Sequence, residues 1–223
     1  MKRWLDWSHF GNVVPMTPNG ETPNPRSLLW QLEAYWAALP RIGLVPRRSD
    51  VDPRGIERIL PDAVILERVA PGVARFRIAS QHLCDIAGGE VRGMPITALF
   101  SAAHRQQMTN ALVDMFDRPA TLHANLKGTG TGLTRPLRGG MVLLPLCLDN
   151  GEVTRAMGAI VTDATAASAP QRLVLSDLQI RSIGLDMGRM KHETRPHVSV
   201  DGFAEDQQPL SGRPHLRIVN SAD

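Results

Sequence analysis

The order of hydrophobic periods along the middle of the chain constrains the fold more than any single motif does. Residues 63–69 and 73–79 are rich in apolar and β-branched side chains and flank a short Pro-Gly turn, which predicts a β-hairpin. A second hairpin is predicted over residues 135–148 and 152–163, because the Asn-Gly pair between them readily adopts positive φ. The middle of the chain is therefore predicted to begin and to end with a β-hairpin.

Helical periods lie between the two hairpins. Residues 80–87 predict a short helix that Ser80 caps and Gly88 ends. A longer helix carries an apolar stripe at three- and four-residue steps: Met108, Ala111, Leu112, Met115 and Phe116. After Pro119 the period falls to two, which is typical of a half-buried strand. The pattern predicts two strands, short helices, one longer helix and three strands.

A leading helix is predicted before the first hairpin. Ser27 is a suitable helix cap, and Pro40 ends the helical pattern. The positions that form one continuous apolar face are Leu28, Leu32, Tyr35, Trp36 and Leu39. Such a face must be covered by a partner surface. Further along, Asp52-Pro53 predicts the start of a short helix that Pro61 closes.

The two ends of the chain differ in composition from the middle. Four prolines between residues 11 and 25 favour turns and extended backbone over helix. Residues 186–223 are polar with scattered Pro and Gly. The predicted organisation is an N-terminal extension (1–25), one domain with its leading helix (26–163), and a largely mobile C-terminal extension (164–223).

Composition and charge exclude several classes of protein. A net charge of +3 is too small to indicate a nucleic-acid surface. No apolar run is long enough for a membrane-spanning helix, and the N-terminus lacks the pattern of a secretory signal, so a cytoplasmic location is expected. Cys84 and Cys147 lack the paired spacing of a zinc or redox site, and we interpret both as small buried hydrophobes.

Six short segments keep a recognisable order from residue 26 to residue 163. They are Trp36, Arg48-Ser-Asp-Val-Asp-Pro53, Ile59-Leu-Pro61, Arg75-Phe-Arg77, Gly89-Glu-Val-Arg-Gly-Met94 and Leu143-Leu-Pro-Leu146. Each segment alone is weak, but the set is specific. Together with the order of strands and helices, it resembles a family of stand-alone bacterial PAS-type domains that was formerly of unknown function.

The resemblance implies an α+β fold: a five-stranded antiparallel sheet with short helices on one face, preceded by an N-terminal helix. It also implies a small pocket between the sheet and the helices. The leading helix would be available for dimerisation, and we expect a homodimer through the apolar face formed by Leu28, Leu32, Tyr35, Trp36 and Leu39. PAS-like proteins usually sense a small ligand or bind another protein, and fold alone does not decide between these.

A ligand pocket is predicted where apolar side chains should converge between the sheet and the helices. The predicted lining is Phe76, Ile78, Leu83, Leu99, Met108, Leu112, Leu144, Leu146 and Ile160. The same list also describes a filled core. Arg77, His82 and Arg92 are the candidates for contact with a polar ligand, although an outward-facing Arg77 paired with an acidic side chain is the simpler interpretation.

No motif assigns a cofactor or a catalytic group. Flavin chemistry is disfavoured, because Cys84 lacks the sequence that surrounds the reactive cysteine of light-sensing PAS domains. Haem is disfavoured, because His82, His104 and His123 have no evident supporting shell. A nucleophile, a base and an orienting group do not occur together, so the sequence predicts neither an enzyme nor a metal site.

The leading hypothesis is a stand-alone sensory or regulatory domain that binds a small ligand and signals in trans to an unidentified signalling protein. The alternative is a ligand-free dimerisation or adaptor module, in which the leading helix provides the contact surface. A small enzyme that uses Cys84 or a histidine is the third hypothesis, and no activated constellation supports it.

Overall fold

The computed structural model describes residues 25–41, 43–129, 137–163 and 171–184. Within these residues the helices are α1 (Pro25–Ala38), α2 (Gln81–Ala87) and α3 (Ala102–Asp117). The strands are β1 (Ala63–Ala70), β2 (Val73–Ala79), β3 (Ala120–Gly128), β4 (Arg138–Cys147), β5 (Val153–Thr162) and β6 (Leu173–Ser182). Short 3-10 helices cover Arg48–Asp50, Pro53–Asp62 and Ile96–Leu99.

The six strands form one antiparallel sheet in the order β2-β1-β5-β4-β3-β6. Both predicted hairpins are confirmed, with Gly72 at φ +70° between β1 and β2 and Gly151 at φ +87° between β4 and β5. Strands β1 and β5 pair directly, so the two hairpins meet in the middle of the sheet. The predicted α+β class with an antiparallel sheet is confirmed.

The sheet has one strand more than predicted. Strand β6 pairs with the whole of β3, from Ala120 opposite Ser182 to Gly128 opposite Leu173. It lies in the segment that was predicted as a C-terminal extension, beyond residue 163. As an edge strand it carries few buried apolar side chains, which explains why its pattern is weak in the sequence. Residues 1–24, 164–170 and 185–223 of the predicted extensions lie outside the described residues.

Hydrophobic side chains cover both faces of the sheet. One face packs against α2, α3 and the Ile96–Leu99 turn. This helical-face cluster includes Leu66, Phe76, Leu83, Leu99, Met108, Leu112, Met115, Met141, Leu143 and Ile160. The other face packs against α1. This back-face cluster includes Leu28, Leu29, Leu32, Trp36, Val142, Leu144, Leu146, Met157 and Ala159.

The Asp52-Pro53 start signal is confirmed and connects α1 to the sheet. The Asp52 carboxylate accepts a hydrogen bond from the Arg54 amide at 2.9 Å and so caps the Pro53–Asp62 helix. The Tyr35 hydroxyl accepts a hydrogen bond from the Asp52 amide at 2.8 Å and donates one to the Asp52 carbonyl at 3.0 Å. Tyr35 thereby fixes the end of α1 to this segment. Helix α1 itself begins at Pro25, two residues before the predicted cap at Ser27.

Replacing Gly72 with alanine is expected to lower the free energy of unfolding by about 1–2 kcal/mol, because L-residues are strained at positive φ. A Cβ atom at this position would also lie 2.6 Å from Cγ2 of Thr109. Gly89→Ala is the matched control, since Gly89 lies outside the left-handed region and has no atom within 4 Å of the added Cβ. Urea denaturation of both variants compares them. Equal losses would contradict the assigned turn.

Candidate functional site between the sheet and the short helices

Side chains from five elements meet in the helical-face cluster. Strand β2 contributes Phe76, α2 contributes Leu83, the 96–99 turn contributes Leu99, and α3 contributes Met108 and Leu112. Ile160 of β5 completes this group, and each of the six side chains is at most 2% exposed. Six of the nine predicted lining residues are therefore brought together.

Short helices cover this cluster, and local sequence signals fix where they begin and end. The Ser80 hydroxyl accepts a hydrogen bond from the Leu83 amide at 3.3 Å at the start of α2. Gly88 ends the helix in the left-handed conformation at φ +79°. Helix α2 has seven residues and the 96–99 turn has four. Isolated helices this short are marginal, so packing on the cluster is what holds them.

The other three predicted lining residues lie elsewhere. Leu144 and Leu146 belong to the back-face cluster and contact the α1 side of the sheet. Ile78 lies near the end of the edge strand β2 and is 52% exposed. The predicted grouping is corrected at these positions. Strand β4 is apolar on both faces, so alternation along it does not reveal which residues face the short helices.

The three candidates for polar ligand contact occupy different environments. Arg77 is exposed and forms an ion pair with Glu67, which also binds Arg155 at 2.6 Å. This confirms the simpler interpretation of Arg77. Arg92 is exposed, and its backbone amide donates a hydrogen bond to the Glu90 carboxylate at 2.8 Å.

His82 is the predicted polar residue that lies at the rim of the helical-face cluster. It neighbours Leu83 on α2, and its Nε2 lies 2.8 Å from the Thr162 hydroxyl, two residues after Ile160. The Asp62 carboxylate is 3.9 Å from the same nitrogen. Burial raises the pKa of Asp62, and the opposing influence of His82 is the smaller one. The rim therefore places three polar side chains, those of His82, Thr162 and Asp62, beside the apolar cluster.

The two cysteines differ in their surroundings. Cys147 is buried, with its sulfur 3.5 Å from the Pro46 carbonyl and 3.7 Å from that of Val45. Cys84 is partly buried, packs against the helical-face cluster, and has its sulfur 3.8 Å from the Glu90 carboxylate. Both thiols are free. The interpretation as small buried hydrophobes is confirmed for Cys147, whereas Cys84 retains some exposure.

The leading helix uses its apolar face within its own chain. Leu28, Leu32 and Trp36 are buried against the back of the sheet, and the Trp36 indole donates a hydrogen bond to the Pro145 carbonyl at 2.9 Å. Tyr35 and Leu39 are partly buried. Leu28, Leu32 and Trp36 are therefore occupied within their own chain and do not form the predicted dimer surface, whereas dimerisation itself stays a prediction. A stripe in the sequence shows that a helix must be covered, but not which chain covers it.

A partly buried polar pair between α1 and β3 was not predicted as a unit. His123 on β3 is 3% exposed, and its Nε2 lies 3.3 Å from the Glu33 carboxylate on α1 and 3.2 Å from the Thr121 hydroxyl. Burial would raise the pKa of Glu33, but the hydrogen bond to His123 and the charges of His123 and Arg181 together lower it below the ordinary value. The sequence signal for this pair was His123 itself, a histidine within an otherwise apolar strand. Its partner Glu33 lies 90 residues earlier, and nothing around Glu33 in the sequence indicates the contact.

Two further features of the described residues bear on function. Among residues 25–41, 43–129, 137–163 and 171–184, no three His, Cys, Asp or Glu side chains are grouped so that they could hold a metal ion. Among the described helices, none combines the length and the apolar character needed to cross a lipid bilayer.

Three solved structures are similar to this chain, each with a low TM-score. The LOV protein of Rhodobacter sphaeroides is 13% identical, with a TM-score of 0.37 over 62% of this chain and 69% of that protein. The PAS domain of BvgS from Bordetella pertussis is 19% identical, with a TM-score of 0.36 over 47% of this chain and 79% of that domain. A variant of Vivid is 13% identical, with a TM-score of 0.37 over 59% of this chain and 95% of that protein.

Sequence comparison gives the family directly. No curated protein matches the chain. The sequence profile described as "PAS domain" matches residues 25–161, which is more than half of the chain and spans α1 to β5. Domains of this family are generally sensory or regulatory rather than enzymatic. The matched segment contains both the helical-face cluster and the leading helix, and the chain therefore belongs to the PAS domain family.

Proposed function

We propose that this protein is a regulatory PAS domain that binds a small apolar or amphipathic molecule within the helical-face cluster and signals its presence to a protein partner. The observation that supports the proposal most is the convergence of apolar side chains from five elements beneath two very short helical segments. The proposal assigns the protein no catalytic step.

The composition of the cluster suits a ligand of variable shape. Met108, Met115 and Met141 lie within it, and methionine side chains adapt to irregular surfaces. His82 and Thr162 provide hydrogen-bonding groups at the rim. An amphipathic molecule could therefore place its apolar body among the cluster residues and its polar end at this rim.

Entry of a ligand would require helix α2 and the 96–99 turn, which cover the cluster, to move. The six central side chains are almost fully shielded, so a molecule between them must displace side chains or helices. Short, locally weak elements open at a lower free energy than the core strands do. Helix α2 and the 96–99 turn are therefore the elements that we expect to respond to occupancy and to alter the surface seen by a partner.

The same close packing favours a second candidate function. A ligand-free interaction module would keep the helical-face cluster filled with its own side chains, as in most protein interiors. In this case the protein acts by contact alone, through a surface other than the apolar face of α1.

Native mass spectrometry of freshly purified protein separates the two functions. We expect a noncovalently retained mass that is released on collisional activation or after unfolding and refolding. A Leu112→Trp variant, which adds volume within the cluster, should lose the retained mass while Leu44→Trp, an exposed site, should keep it. A protein without any retained mass, even after incubation with a cell-derived small-molecule extract, would contradict ligand binding and support the interaction module.

A further inference from the structure

The polar pair beneath α1 joins three parts of the fold. Glu33 lies on α1, His123 lies on β3, and Gln179 on β6 stands directly opposite His123 in the sheet. Arg181 stands opposite Thr121 and donates a hydrogen bond to Gln179 at 3.4 Å. The side chains therefore share the back face of the sheet, where the leading helix, β3 and the additional strand β6 come together.

We infer that the Glu33–His123 pair is an acid-sensitive clamp, which holds the leading helix on the β3–β6 part of the sheet most firmly when the glutamate is ionised. The geometry supports this, because the histidine is almost fully buried and its Nε2 lies 3.3 Å from the carboxylate. A buried charge that loses its partner is strongly destabilising. The inference goes beyond the proposed function and does not depend on a ligand.

The charged groups around the pair determine how it responds to acid. Glu33 faces His123 from α1, and Arg181 faces the glutamate from β6. Strand β4 places the apolar Val142 opposite His123 and adds no charge there. Asp177 lies farther along β6, where it accepts a hydrogen bond from Gln179 at 3.5 Å. Protonating Glu33 would remove the negative charge that faces His123 and Arg181 beneath the helix.

The sign of the pH effect follows from the state of Glu33. The pKa of Glu33 is lowered in the folded protein, so its contribution is present above the ordinary glutamate range and is lost as the pH falls through its folded value. The clamp is therefore in place above the ordinary glutamate range and weakens in acid.

Hydrogen exchange of the leading helix tests the clamp. Amide protection of residues 25–38, corrected for the intrinsic effect of pH, is compared with that of β1 and β2 near pH 6 and near pH 3. We expect protection of the helix to fall severalfold at the lower pH, because acid below the ordinary glutamate range protonates Glu33. Strands β1 and β2 should not show this change.

Variants complete the experiment. The Glu33→Gln variant should have lower helix protection at pH 6, and its protection should not depend on pH. The His123→Gln variant is used if Glu33→Gln folds poorly, and its helix protection should likewise lose the pH dependence. Asp114→Asn, which removes the exposed Asp114–Arg118 pair on α3, is the control and should keep the wild-type profile. A wild-type profile in Glu33→Gln, or helix protection that changes only together with β1 and β2, would overturn the inference.

Discussion

Replacing Trp36 with alanine is expected to lower the free energy of unfolding by about 3–5 kcal/mol. The side chain is 4% exposed within the back-face cluster, so the substitution removes a large apolar surface and leaves a cavity between α1 and the sheet. It also leaves the Pro145 carbonyl without the indole donor that lies 2.9 Å away. Urea denaturation monitored by circular dichroism measures the loss.

The same substitution at Trp30 provides a matched control on the same helix. Trp30 is only partly buried and does not belong to the back-face cluster. Trp30→Ala should therefore lower the free energy of unfolding by less than half as much as Trp36→Ala does. The oligomeric mass of Trp36→Phe, measured by light scattering, should equal that of the wild type, since residue 36 faces its own sheet. Equal costs at the two tryptophans, or dissociation of an oligomer by Trp36→Phe, would contradict the placement of α1.

The second large effect is expected at Phe76 on the opposite face. Phe76→Ala should lower the free energy of unfolding by about 3–5 kcal/mol, because the ring is fully shielded at the centre of the helical-face cluster. Ile78→Ala on the same strand should cost below about 1 kcal/mol, since Ile78 is half exposed. Thermal denaturation of both variants compares them. A larger loss at Ile78 would contradict the placement of Phe76 at the centre of the cluster.

Local signals in the sequence predicted most of the elements. The two hairpins, the cap at Ser80, the stop at Gly88 and the apolar stripe of α3 all depend on neighbouring residues, and each is present in the structure. The Asp52-Pro53 start was predicted for the same reason. These signals are local because turn geometry and capping involve residues only a few positions apart.

Contacts between distant segments could not be read in the same way. The buried residues of β4 are apolar on both faces, so the assignment of Leu144 and Leu146 to the short-helix side had no support from alternation. The covering of α1 by its own sheet and the meeting of Glu33 with His123 depend on the tertiary arrangement. Strand β6 was missed as part of the sheet because its pairing partner, β3, is more than 40 residues away.

Methyl resonances of the methionines test the location of the ligand most directly. Met108 and Met115 lie in the helical-face cluster, whereas Met157 lies in the back-face cluster, so the chain contains its own internal control. Spectra of protein labelled at the methionine methyl groups are recorded as purified and after small molecules have been removed by unfolding and refolding. The account predicts that Met108 and Met115 shift while Met157 does not. Release of a small molecule without a change at Met108 and Met115, or with the larger change at Met157, would contradict it.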